Sequence, residues 1–192
     1  MEKADILQIL RKNNSVFTFK DIALIWGETN PRNVQKKIYR YIKAGKLYPI
    51  RRGIYAKDKN YNKLELATKI YTPSYISFET VLAEKGVIFQ HYSQIFVASY
   101  LSREIECDGQ KYIFKKIKNS ALTDGTGIEK KDNFYAATAE RAFLDAIYLY
   151  KDYHFDNLES INWDLCFKIV PIYKNNNLKK KLQSYYENYK NA

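Results

Sequence analysis

The sequence predicts an α+β protein in two parts, one over residues 1–60 and one over residues 61–192. Three observations carry this. Residues 1–60 hold three short helical patterns bounded by capping or stop residues, followed by two apolar runs around a basic turn. Asp108-Gly109 stands between two alternating segments, a strong short-range hairpin signal. Helical patterns then return from Thr138 onward, so the second part mixes sheet and helix.

Ile6, Leu7 and Leu10 recur at helical spacing in an opening helix that ends in the polar Lys12-Asn13-Asn14. Thr18 and Asp21 have the spacing of a capping box, and Ile22, Ile25 and Trp26 form the apolar stripe of a second helix stopped by Gly27. Thr29 or Asn30 caps a third helix, with Pro31 at its first position, where a missing N–H costs nothing. That helix runs to about Ala44, with Gly45 as its stop.

At about 100° per residue, Val34, Ile38, Tyr41 and Ile42 share one side of the third helix, while Arg32, Lys36, Arg40 and Lys43 gather opposite. The run Leu47-Tyr48-Pro49-Ile50-Arg51-Arg52-Gly53-Ile54-Tyr55-Ala56 reads as two short strands joined by a basic turn. Two helices separated by a short turn, the second with a polar outer face, followed by such a hairpin, make a winged helix-turn-helix. An isolated basic stripe is ordinarily a solvated helix face; the turn spacing and the arginines of the hairpin favour contact with double-stranded DNA. The expected contact set is Arg32, Asn33, Gln35, Lys36, Lys37, Arg40 and Lys43 on the helix, with Arg51 and Arg52 in the wing. Asn33 and Gln35 are the expected readers of adenine edges.

The charge distribution agrees. Residues 1–60 hold 14 Lys and Arg against 5 Asp and Glu, and residues 61–192 hold 18 against 16, so most of the net +11 belongs to the first part. Lysine is common throughout, but of seven arginines four lie between Arg32 and Arg52. The planar fork of arginine suits phosphate and guanine.

In the second part, Tyr61 to Tyr71 reads as a helix with Leu64, Ala67 and Ile70 or Tyr71 inward, and the domain boundary is expected near residues 57–62. Pro73 to Ile76 reads as extended, with Ser77 as the N-cap of a helix closed by Gly86 and Glu79 favouring its dipole. Ile95 to Tyr100 is a β-rich run, and Glu104 to Cys107 with Gln110 to Ile117 form the hairpin of an antiparallel sheet. Thr138 caps a helix with Leu144, Ile147 and Tyr148 on one face. Two further helices are expected at Trp163 to Ile169 and Leu178 to Tyr189.

Two segments, Pro73-Ser74-Tyr75-Ile76-Ser77-Phe78-Glu79-Thr80 and Ala137-Thr138-Ala139-Glu140-Arg141-Ala142-Phe143-Leu144-Asp145-Ala146, together with Gly53-Ile54-Tyr55, resemble the AbiEi-type antitoxins of type IV toxin-antitoxin systems. The resemblance runs over nearly the whole chain, although that family usually has proline where Ala139 stands. It implies a transcriptional autorepressor of a two-gene abortive-infection operon, binding repeated operator sites. It also implies neutralisation of a nucleotidyltransferase-like toxin, with or without direct contact, by residues 61–192. The alternative is a stand-alone winged-helix regulator whose second domain mediates dimerisation or senses a ligand.

The remaining motifs point away from catalysis, and no catalytic residue, metal ligand or cofactor site is assigned. Arg141 and Asp145, at i and i+4, read as a salt bridge or as contacts to a loop at a domain seam rather than as catalytic groups. His91 and His154 are isolated, and Cys107 and Cys166 have neither disulfide-framework nor zinc spacing, which fits a reducing cytoplasm. Thr123-Asp124-Gly125-Thr126-Gly127 lacks the lysine and context of a phosphate-binding loop and reads as an exposed loop. Tyr185, Tyr186 and Tyr189 are expected to pack on the second domain rather than to await a partner. No signal segment or membrane span is expected.

Overall fold

The computed structural model describes residues 2–191, which divide into two compact units, the first ending at Ile70 and the second beginning at Tyr71. The protein is α+β, with two separate sheets.

The first unit opens with helix α1 (Glu2–Leu10), strand β1 (Val16–Thr18) and helix α2 (Phe19–Trp26). Helix α3 (Pro31–Lys43), strands β2 (Tyr48–Arg51) and β3 (Ile54–Ala56) and helix α4 (Lys63–Ile70) follow. Ile6, Ile9, Phe17, Ile22, Val34, Ile38, Tyr41 and Leu47 form its core. Of the expected stripe on α1 only Ile6 turns inward, joined by Ile9, whereas Leu7 and Leu10 are exposed.

The three strands form one antiparallel sheet in the order β1-β3-β2, so the hairpin gains a third strand that three residues of sequence did not announce. Phe19 N–H donates to the Gly53 carbonyl at 2.8 Å, tying the start of α2 to the hairpin turn.

The first unit runs to Ile70, beyond the boundary expected near residues 57–62, and the reason is Glu65. This carboxylate is buried on α4, where it accepts from Ser15 N–H at 2.8 Å, Ser15 Oγ at 2.7 Å and Asn14 Nδ2 at 3.1 Å. Buried carboxylates require such donors, so α4 must sit against the loop entering β1. Its inward residues are Glu65, Leu66 and Ala67 rather than Leu64 and Ile70.

The second unit carries a six-stranded sheet in the order β6-β7-β5-β4-β9-β8. Its strands are β4 (Ser74–Ile76), β5 (Ile95–Ser99), β6 (Arg103–Cys107), β7 (Gln110–Lys116), β8 (Ile128–Lys131) and β9 (Phe134–Ala137). The sheet is mixed rather than antiparallel, because β5 pairs with β7 and β4 with β9 in parallel. All five residues of β5 are buried, as expected of an inner strand covered on both faces. The expected hairpin joins β6 to β7, with Cys107 opposite Gln110 and both Asp108 and Gly109 at positive φ. Charged side chains, among them Arg103, Glu104, Glu129 and Lys130, occupy the two edge strands and discourage further pairing.

The helices of this unit are α5 (Glu79–Glu84), α6 (Asn119–Leu122), α7 (Ala139–Leu149), α8 (Trp163–Ile169) and α9 (Asn176–Lys190), with a 3-10 turn at Val170–Tyr173. Helix α7 is buried along nine consecutive residues from Ala139 to Ile147 and forms the centre of the core. Helix α9 seals it with Leu178 and Leu182, while Tyr185 meets Phe143 and Phe155 and both Tyr186 and Tyr189 meet Trp163. Tyr185 and Tyr186 are therefore partly buried within the second unit, whereas Tyr189 rests against Trp163 but stays exposed.

Ser77 does not cap α5. Its hydroxyl donates to Asp145 Oδ2 at 2.7 Å, and the cap position falls to Phe78, at φ 54°. Positive φ is unfavourable for a bulky residue, and it is held here by complete burial of the ring.

Candidate nucleic-acid interface

The local geometry of residues 18–45 follows from caps. Thr18 Oγ1 accepts from Asp21 N–H at 3.1 Å, and Asp21 Oδ2 accepts from Thr18 N–H at 2.9 Å, which closes the capping box of α2. Gly27, at φ 61°, ends α2 in the left-handed region that glycine tolerates. Asn30 then caps α3 by accepting from Arg32 N–H at 3.0 Å, with Pro31 at the first position. Beyond Ala44, Gly45 at φ 66° stops the helix, and Lys46 N–H returns to the Tyr41 carbonyl at 2.8 Å.

Val34, Ile38 and Tyr41 are buried, so the opposite side of α3 faces solvent. Arg32, Asn33, Gln35, Lys36, Arg40 and Lys43 are all exposed. On helical geometry Arg32, Lys36 and Lys43 lie within about 40° of one another, with Asn33 and Arg40 on one flank and Gln35 on the other. Asn33 and Gln35 are two residues, or about 200°, apart, so they serve opposite edges of the face.

Lys37 stands apart from the other expected contacts. It is half-buried, its ammonium lies 3.0 Å from Asp5 Oδ2 on α1 and 5.7 Å from the Trp26 ring, and Trp26 Nε1 donates to the Asp5 carbonyl at 2.9 Å. This lysine joins three helices. Residue type alone did not separate it from Lys36, because what differs is the neighbour each angle meets.

The β2–β3 turn presents Arg52, exposed, and Arg51, half-buried, with Gly53 at φ 77° closing it. From Thr29 to Lys57 the chain has no Asp or Glu and nine Lys or Arg, so α3 and the hairpin form an uninterrupted cationic segment. Such a segment suits a polyanion bound through phosphate contacts. Tyr39, which sequence reasoning passed over, lies on the same face with 60% of its surface exposed and the Lys43 ammonium 5.6 Å from its ring centroid.

The second unit encloses a different polar group. Asp145 and Arg141, both fully buried, approach at 3.5 Å, and Asp145 also accepts from Tyr173 at 2.5 Å, Ser77 at 2.7 Å and Tyr75 at 2.9 Å. Arg141 donates to Tyr75 Oη, to the Thr126 carbonyl at 3.0 Å and to the Ala121 carbonyl at 2.5 Å. Burial pushes the Asp145 carboxyl up, against the lowering effect of Arg141 and the three hydroxyls. The expected salt bridge and the expected loop contact are both present, but they lie in the interior of the second unit rather than at a domain seam. The segment 123–127 contributes its backbone to this network from an otherwise exposed loop.

Glu79 is buried and pairs with Lys115 at 3.3 Å while accepting from Tyr150 at 2.5 Å. Burial pulls the Lys115 amine down against the raising effect of Glu79, and the rings of Tyr150, Phe96 and Phe78 surround the ammonium at 4.4, 4.6 and 5.2 Å. This ion pair fastens α5 to β7, a tertiary role that the dipole argument for Glu79 did not reveal.

Among the described residues no group of His, Cys, Asp and Glu is arranged to hold a metal ion, and no helix is long and apolar enough to cross a membrane. Burial pushes the Cys166 thiol up, which disfavours the reactive thiolate. Compared with known proteins, the chain matches no family model and no curated sequence.

Proposed function

We propose that the first unit is a winged helix-turn-helix module that binds double-stranded DNA. Helix α3 enters the major groove, α2 supports it, and the turn at Arg51-Arg52-Gly53 is the wing, set against the backbone or minor groove. One observation carries this reading: the exposed side of α3 is cationic and lies diametrically opposite its buried stripe, within a segment free of acidic residues. The contact set is Arg32, Asn33, Gln35, Lys36, Arg40, Lys43, Arg51 and Arg52, with Lys37 holding the helices together instead.

The chain as a whole is read as an autorepressor and antitoxin counteracting a nucleotidyltransferase-like toxin in the cytoplasm. This half of the reading rests on the resemblance at Pro73–Thr80 and Ala137–Ala146. It involves no catalytic step. In the second unit those segments supply the buried Tyr75, Ser77, Arg141 and Asp145, so their contribution is to hold its core together.

The test uses the full chain, its own upstream DNA and the neighbouring reading frame. Replacing Arg32, Arg40, Arg51 and Arg52 together with alanine abolishes repression while the cell, expressing the variant from an unrelated promoter beside the toxin, continues to grow. Unchanged DNA affinity in a folded quadruple variant refutes the DNA-binding reading. Growth arrest refutes separable neutralisation, and a neighbouring gene unrelated to nucleotidyltransferases favours the stand-alone regulator.

A further inference from the structure

We infer that Gln35, Tyr39 and Lys43 form a single line of DNA contacts along α3, in which Gln35 and Tyr39 read bases and Tyr39 packs against the 5-methyl group of a thymine. The preferred DNA then carries that thymine within about two base pairs of an adenine addressed by Gln35. This inference rests on the DNA-binding reading above and deepens it by assigning the base that one residue selects.

The three residues follow one another at i, i+4 and i+8, a spacing that keeps them on one side of the helix with a drift of about 40° per step. At 1.5 Å per residue, Gln35 and Tyr39 are about 6 Å apart along the axis, close to two base-pair rises of about 3.4 Å. The chemistry changes along this line. Gln35 offers an amide, which matches the acceptor and donor pair of adenine in the major groove. Tyr39 offers an aromatic ring with 60% of its surface exposed, although the interior side of α3 already carries buried Tyr41. Lys43 offers a cation whose ammonium stands 5.6 Å from the Tyr39 ring, one turn farther on, which suits a phosphate flanking the base beneath the ring.

With 60% of its surface open to solvent, the Tyr39 ring lies on a cationic face and outside the buried core of the unit. Aromatic side chains with this placement are enriched in binding surfaces, because covering them removes apolar area from water at a low cost in side-chain entropy. The one apolar group that the major groove presents on a base edge is the thymine methyl. The line Gln35, Tyr39, Lys43 therefore reads as hydrogen bond, methyl contact and phosphate contact in sequence. Asn33 and Arg40 occupy the opposite flank, where the Arg40 guanidinium serves the other wall of the groove.

The experiment uses the full-length protein and a pool of randomised 20-base-pair duplexes, from which the preferred sequence is enriched. Each thymine of that duplex is then replaced singly by deoxyuridine, which removes one methyl group and leaves the hydrogen-bonding edge unchanged. At one thymine, close to an adenine whose replacement is felt by wild type and not by Gln35→Ala, the change weakens wild-type binding about four-fold, as expected for one buried methyl. Tyr39→Ala binds the thymine and uracil duplexes equally, whereas Tyr39→Phe keeps the difference, and both retain the wild-type circular dichroism spectrum. Wild-type indifference to every uracil, or a Tyr39→Ala variant as sensitive as wild type, overturns the assignment while leaving sequence-selective DNA binding intact. Failure of the wild type to bind any duplex overturns the DNA-binding reading itself.

Discussion

Glu65 and Ser15 are fifty residues apart in sequence, yet the Glu65 carboxylate accepts both the backbone N–H and the hydroxyl of Ser15, at 2.8 and 2.7 Å. The pair joins α4 to the loop before β1 and extends the first unit to Ile70. A fragment of residues 1–70 is expected to unfold cooperatively, and one of residues 1–60 to melt at a clearly lower temperature or without a transition. Within the longer fragment Glu65→Ala leaves three donors without their acceptor and costs about 2–4 kcal/mol in a urea titration. Equal stability of the two fragments disproves the role of α4.

Lys36 and Lys37 are neighbours with different partners, and their alanine variants separate the two kinds of contact. Lys36→Ala is expected to leave the melting temperature unchanged and to reduce the slope of log affinity against log salt by about 0.9, the value of one phosphate contact. Lys37→Ala removes the 3.0 Å pair with Asp5 and lowers stability by about 0.5 kcal/mol with little change in that slope. The reverse pattern places Lys37 on the DNA.

Asp21 sets an acid limb for the first unit. Burial raises its carboxyl, but the hydrogen bond from Lys69 and the capping bonds with Thr18 outweigh that and hold it below its ordinary value of 3.8. A carboxyl lowered in the folded state contributes stability above its unfolded value, and that contribution is lost as pH falls through the folded value. Asp21→Asn is therefore less stable than wild type at neutral pH, and the gap closes below about pH 3.8. Thermal melts of the 1–70 fragment across pH 2–7 measure it; a gap that widens in acid contradicts the pairing with Lys69.

Gly125 and Gly127 lie two residues apart in one loop and differ in tolerance. Gly127 has φ +74°, and a Cβ there stands 2.9 Å from Ile169 Cδ1 and 3.0 Å from Arg141 Cβ, whereas a Cβ at Gly125 meets nothing within 4 Å. Gly127→Ala is expected to cost about 2–4 kcal/mol, because strain at positive φ adds to the clash. Gly125→Ala stays within about 0.5 kcal/mol. Equal melting temperatures for the two variants remove Gly127 from the support of the Arg141 network.

The local elements of the first unit were legible in the sequence because their signals are local. The T-x-x-D box at Thr18, Gly27, Asn30 with Pro31, and Gly45 each act through hydrogen bonds or φ angles within a few residues. The division of α3 into a buried stripe and a cationic face is likewise a consequence of helical period. The β6–β7 hairpin belongs to the same class, since Asp108-Gly109 sets its register by itself.

What the tertiary structure alone decided depends on groups far apart in the chain. Whether Ser77 caps a helix or serves Asp145, sixty-eight residues later, turns on which acceptor the fold brings to it. The parallel pairings of β5 with β7 and β4 with β9 arise from crossovers that no strand pattern encodes. Lys37 and Lys36, identical in type and adjacent in sequence, were assigned one role by composition and two by packing, since a rotation of about 100° turns one toward Asp5 and leaves the other in solvent. Tyr39 and Tyr41 divide in the same way: the period of the helix sets the two rings apart, and only the core formed by α1, α2 and β1 determines which of them is covered.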